Sequence, residues 1–147
     1  MATAKTSFEK LEVYQCAEAL ADRLWSLVAA WPSLAQHTLG LQLIRALDSI
    51  GANIAEGAGR YTHIDNRHFV RIARGSLYET RHWLRCAWRR GLLSKAESAE
   101  LARALDQLSQ LLAGYLRSLT VRITVDAASR VGKKTRTAAS PAMNDEQ

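Results

Sequence analysis

Apolar residues recur along this chain on alternating steps of four and three. Val13, Ala17, Leu20, Leu24, Leu27 and Trp31 share one face of a first segment. That spacing marks the buried stripe of an amphipathic helix. Pro32 then breaks the pattern, because proline lacks the N–H that a helix interior needs. Leu43, Leu47, Ile50 and Ile54 repeat the pattern in a second segment. A third places Phe69, Ile72, Ala73, Leu77, Thr80, Trp83, Leu84, Ala87 and Trp88 on one broad face. In a fourth, Leu101, Leu105, Leu108, Leu112, Tyr115 and Leu119 continue the pattern for nearly three heptads. The spacing predicts helices over about residues 10–31, 39–58, 64–90 and 94–120.

Local signals agree with these bounds. Gly91 fits the end of the third helix. Ser94, with Glu97 three residues on, forms a capping box at the start of the fourth. Four amphipathic helices with short connections predict an all-α fold, an antiparallel up-and-down four-helix bundle with left-handed crossings of about 20°. Past Val121 the apolar period dissolves. Residues 1–121 read as the bundle domain and 122–147 as a flexible basic tail, with a Lys133-Lys134-Thr135-Arg136 cluster. Two helices carry more apolar surface than one seam needs. Tyr14, Ala21, Trp25 and Val28 widen the first stripe, and the third spans an arc of roughly 160°. Large apolar flanks on a small bundle point to self-association.

The charge balance adds a partner class. The 147 residues hold 20 basic and 14 acidic side chains, a net charge of +6 and a pI near 9.7. An anionic partner such as nucleic acid fits that balance. Arginine outnumbers lysine 15 to 5, which favours bidentate phosphate contacts and protein interfaces. Cys16 and Cys86 stand apart without a CxxC, so a reducing cytoplasmic setting fits best. The start of the chain, MATAKTS, has no apolar core of a signal peptide. Leu24 to Ile44 carries no formal charge, yet Pro32, Ser33, Gln36, His37, Thr38 and Gln42 make it too polar for a membrane span.

The stretch SIGANIAEGAGR, Ser49 to Arg60, poses the question of a phosphate loop. Such a loop follows a strand and opens a helix. Here a helical run precedes Gly51, and neither GxGxxG nor GK[ST] occurs. The helical reading divides the second helix into three faces. Leu43, Leu47, Ile50 and Ile54 are the seam. Gly40, Gly51, Ala55 and Ala58 form a small-residue flank for close approach. Arg45, Ser49, Asn53, Glu56 and Arg60 form a polar stripe, open to two readings: a solvated face, or a hydrogen-bonded network at a helix or subunit contact. Gly57 and Gly59 are expected to end the helix in a flexible turn.

FEKLEVYQCAEAL, LGLQLIRALDSIGANIAEGAGR and HFVRIARGSLYETRHWL resemble the four-helix bundle family encoded in intervening sequences of bacterial 23S ribosomal RNA. The accessory variability protein of diversity-generating retroelements resembles the same group. The likeness runs over about residues 8 to 119. The S-x-x-x-N-I-A-E-G element is carried by Ser49, Asn53, Ile54, Ala55, Glu56 and Gly57. The A-x-G-S-x-x-E element is carried by Ala73, Gly75, Ser76 and Glu79. Gly51 stands where the family usually has proline, so no proline kink is implied. The resemblance implies an up-and-down bundle that assembles into a ring-shaped pentamer. In the retroelement relatives it also implies a basic surface that contacts nucleic acid and a reverse transcriptase. It supplies no reaction. Ser76 and Glu79 join the polar stripe as a candidate structural network, with Glu79 or Glu56 expected to pair with Arg45 or Arg60.

The third helix carries the candidate nucleic-acid site. Arg67, Arg71, Arg74, Arg81, Arg85 and Arg89 step by 4, 3, 7, 4 and 4, and Tyr78 fills the gap. At 100° per residue these seven lie within about 80° of arc, expected to be opposite the apolar face. Between Arg60 and Arg90, eight arginines face only Asp65 and Glu79. Like charges at i,i+4 destabilise a helix slightly, and a polyanion would offset that. Tyr78 is placed to stack on a base. The other reading is a solvated face, or one paired to acids of a neighbouring subunit.

Catalytic and metal chemistry find little support. Glu79 and His82 make half of a di-iron motif, and His82 with Cys86 offers two zinc ligands where four are needed. No metal, no cofactor and no catalytic set is expected. Two function classes remain: a non-enzymatic oligomeric adaptor that contacts RNA or DNA and delivers it to another nucleic-acid enzyme, or a protein–protein interaction scaffold whose basic face meets an acidic protein.

Overall fold

The computed structural model describes residues 7–138. Four long helices are present, and among the described residues there is no strand. A short 3-10 turn, Phe8–Lys10, leads into α1, Glu12–Ala29. Pro32 stops helical continuation, as expected, and Ser33–Ala35 with a π-helical turn, Gln36–Gly40, opens α2, Leu41–Ala58. Helix α3 is His63–Arg89 and α4 is Lys95–Ala138.

Helix α4 differs from expectation. It continues well past Thr120, and Asp126 still meets His63 at the start of α3, Oδ2 to Nδ1 at 2.8 Å. Helical structure therefore runs on beyond residue 121, into the segment expected to be a flexible tail. Every residue from Ala127 to Arg136 is exposed. This stretch holds no proline, and its Ala, Arg and Lys residues favour helix, so nothing in it stops α4 from propagating. The rest of the expected tail, 139–147, lies outside the described residues.

Both helix signals near Gly91 operate. Gly91 has φ +72°, and its N–H donates to the Trp88 carbonyl while that of Leu92 donates to Ala87. This pair of bonds is the Schellman C-cap. Ser94 and Glu97 cap each other's backbone N–H at 3.1 and 2.8 Å. Thr62 caps α3 by accepting from the Asp65 N–H at 3.1 Å.

Each helix packs on its chain neighbours, and α1 also packs on α4, which closes a square. Contacts pair the end of one helix with the start of the next. Arg23 late in α1 bonds Glu100 early in α4, and Arg81 late in α3 meets Asp106 early in α4. Adjacent helices thus run in opposite directions. Leu43, Leu47, Ile50 and Ile54 are completely or almost completely buried, as their spacing requires. Burying one such side chain contributes about 1.5–3 kcal/mol. On α3 the buried set is narrower than expected: Val70, Ala73, Leu77, Thr80 and Ala87 are inside, while Ile72 and Trp88 are exposed.

Gly57 answers the glycine question in an unexpected way. It is buried inside α2 rather than in a turn. A methyl group there would stand 2.6 Å from Asn66 Oδ1 and 3.0 Å from the Asn66 carbonyl. The absent side chain lets α3 cross α2 at close range. Gly40 does the same for α1, since a methyl group there would lie 2.6 Å from Val28 Cγ1.

Candidate nucleic-acid interface

The seven predicted side chains stand on one flank of α3, but not opposite its core. Their place follows from where α4 packs. The inward seam of α3 runs through Ala73, Leu77 and Thr80. Counting 100° per residue, Arg74 and Arg81 lie nearest α4, whereas Arg71 and Arg89 face outward. The row therefore borders the α3/α4 groove, which corrects the expectation of an opposite face. Arg67 and Arg81 are half-buried; Arg71, Arg74, Arg85 and Arg89 are exposed.

Electrostatically the row is nearly uncompensated. Arg81 Nη1 meets Asp106 Oδ1 at 2.9 Å across the groove. The other five arginines form no ion pair among the described residues. Tyr78 is 66 % exposed in the middle of the row. It lines a cleft of about 340 Å³ with Arg74 and, from α4, Arg117. A second cleft of about 340 Å³ holds Arg81, Arg85 and Trp88. Arg117 escaped the sequence reading, which also assigned Trp88 to the apolar face of α3 and not to the site. The signal was faint: Ala102, Ser109 and Ala113 are small and run along one flank of α4, leaving a groove beside α3.

The polar stripe of α2 divides in two. Its middle builds the contact with α3. The hydroxyls of Ser49 and Ser76 are 2.9 Å apart, and Asn53 Nδ2 donates to the Ser49 carbonyl and Oγ at 2.8 and 3.0 Å. Thr80 Oγ1 donates to the Ser76 carbonyl at 2.8 Å. Its end holds the ion pair of the expected set found among the described residues, Arg60 to Glu56 at 2.7 Å, which ties the turn after α2 back to its last turn and is about half-exposed. Arg60 also lies 4.6 Å over the Phe69 ring. Glu79 accepts from Trp83 Nε1 at 3.1 Å and meets neither arginine. It sits beyond the side of α3 that faces α2. Arg45 is exposed without an ion pair among the described residues.

A second groove, between α1 and α2, is acidic. Glu18, Asp22 and Asp48 line it. Burial and, secondarily, the nearby Asp22 charge push the Asp48 carboxyl above the ordinary range. Burial also raises the Cys16 thiol, which disfavours the thiolate. His82 Nε2 and Cys86 Sγ are 3.8 Å apart, and among the described residues no third potential ligand joins such a group. No helix of the described residues is long and apolar enough to cross a membrane.

Fold and face together define a four-helix bundle protein with an arginine-lined groove. The family profile described as 23S rRNA-intervening sequence protein matches residues 9–114, and the chain belongs to that family. A crystal structure of a protein of unknown function from the S23 ribosomal protein family of Bacteroides thetaiotaomicron is similar, with a TM-score of 0.64 and 22% identity. That match covers 71% of this chain and 95% of the other. At this identity the likeness shows the fold alone. No curated protein matches the chain.

Proposed function

We propose that this protein is a non-enzymatic, oligomeric adaptor of the cytoplasm that grips RNA or DNA through the arginine row of α3. The observation that carries this reading is charge without compensation. Five of six arginines on one helical flank have no acidic partner among the described residues. Such a row follows a phosphate backbone and reads no base edges, so binding is salt-sensitive and weakly selective. Exposed Trp25 and Ile72 support self-association, and the family resemblance makes a pentamer the expected state. Repeated rows gain affinity through avidity that one bundle lacks. The assembled protein then presents nucleic acid to another enzyme.

The test is a filter-binding titration across salt with RNA and with DNA. Changing Arg71, Arg74, Arg81 and Arg85 together to Gln leaves the fold intact, because these side chains lie outside the core. Each lost phosphate contact lowers the log–log salt slope by about 0.7 to 0.9. A folded variant that binds like the parent at every salt concentration removes the row from the site. A parent that retains neither nucleic acid at low salt favours a scaffold that meets an acidic protein.

A further inference from the structure

Phosphate contacts alone do not account for the α3/α4 groove. Two clefts along it each join an exposed aromatic ring to a pair of guanidinium groups. Tyr78 stands with Arg74 and Arg117, and Trp88 stands with Arg81 and Arg85. The two aromatic residues are 66 % and 46 % exposed. Ten positions of one helix separate them, about 15 Å at 1.5 Å per residue. A duplex offers such a groove its phosphates, while its bases stay stacked within, rising about 3.4 Å per step on each strand. Two bases resting on rings that far apart belong to a strand that has left its stack. A ring face accepts any base, and a guanidinium plane beside it adds cation–π attraction.

We infer that the α3/α4 groove is a single-strand site, in which the arginines hold the backbone while Tyr78 and Trp88 each take one unstacked base. The inference rests on the nucleic-acid reading above and narrows its ligand to single strands. It adds Arg117 of α4 to the charged wall, so the site is built by two helices. Purines and pyrimidines both fit, because stacking carries no hydrogen-bond code.

Fluorescence anisotropy tests this, with labelled oligothymidine and a mixed-sequence duplex of equal length at matched salt. The parent protein binds the single strand more tightly. Tyr78→Ala and Trp88→Leu each weaken single-strand binding by roughly 5- to 150-fold, leave duplex affinity unchanged and preserve the salt slope. Tyr78→Phe, which keeps the ring, binds like the parent. Leucine at position 88 retains apolar contact with Leu84, Leu93 and Leu101, which line the same cleft, and circular dichroism checks that each variant is folded. Equal affinity of the parent for both ligands, or unchanged single-strand binding in both ring variants, overturns the single-strand inference and leaves the phosphate reading standing. Binding of neither ligand by the parent overturns both.

Discussion

Replacing Gly57 by alanine tests the close crossing of α2 and α3. Helix propensity alone favours the change by at most about 1 kcal/mol. Sterics oppose it. The new methyl carbon would lie 2.6 Å from Asn66 Oδ1, 3.0 Å from the Asn66 carbonyl and 3.0 Å from Phe69 Cβ. The last two are fixed to the α3 backbone, so a side-chain rotation cannot relieve them and the helix must move. Overpacking of this kind costs about 1–3 kcal/mol. Moving α3 also strains the bond from Asn66 Nδ2 to the Tyr115 hydroxyl, 3.1 Å long, which contributes about 1 kcal/mol. Among the described residues Asn66 Oδ1 is already buried without a hydrogen-bond partner, so it gains no compensation. The net expectation is a loss of about 1–3 kcal/mol, a fall in Tm of roughly 2–12 °C for a domain of this size. Urea unfolding followed by circular dichroism measures it. Gly51→Ala is the matched control. Its methyl would lie 3.7 Å from Tyr14 Cε2, an ordinary contact, so propensity wins and stability rises by up to about 1 kcal/mol. If Gly57→Ala proves as stable as the parent, the close-crossing argument fails.

Asp48→Asn tests the acidic groove. A carboxyl whose pKa is raised by folding gives its best stability below the ordinary carboxylate range and loses it as pH rises through the raised value. Asp48 is exposed at the groove's edge and solvent screens its charge, so the substitution stabilises only slightly at neutral pH, by no more than about 0.5 kcal/mol. That gain vanishes in acid; thermal melts showing an equal gain at both pH values would refute the assignment. Gly91→Ala meets no atom within 4 Å but forces alanine to φ +72°, so a loss of about 1–2 kcal/mol is expected in urea unfolding. Ser94→Ala removes the acceptor of the α4 cap and lowers stability by about 1 kcal/mol, whereas Ser94→Gly costs only a few tenths.

The chain alone determined the four helices, the α2 seam and the Ser94 and Gly91 caps. These depend on the helical period and on bonds between residues a few positions apart, so any short window of sequence contains them. It also put six arginines and Tyr78 on one flank of α3. Only the tertiary structure decided what that flank touches. Helices joined by short loops close a square in either rotational sense, and that choice exchanges the two flanks of each seam. It brought α4 beside Arg74 and Arg81, added Arg117 and Trp88 to the groove, and left Glu79 beyond reach of Arg45 and Arg60. Gly57 has the same lesson at shorter range. Its place in the sequence fits a helix end, but the approach of Asn66 from another helix made it a packing residue. The extension of α4 lacked an apolar period because Ala127 to Arg136 are all exposed, so a pattern that reports burial had nothing to record there.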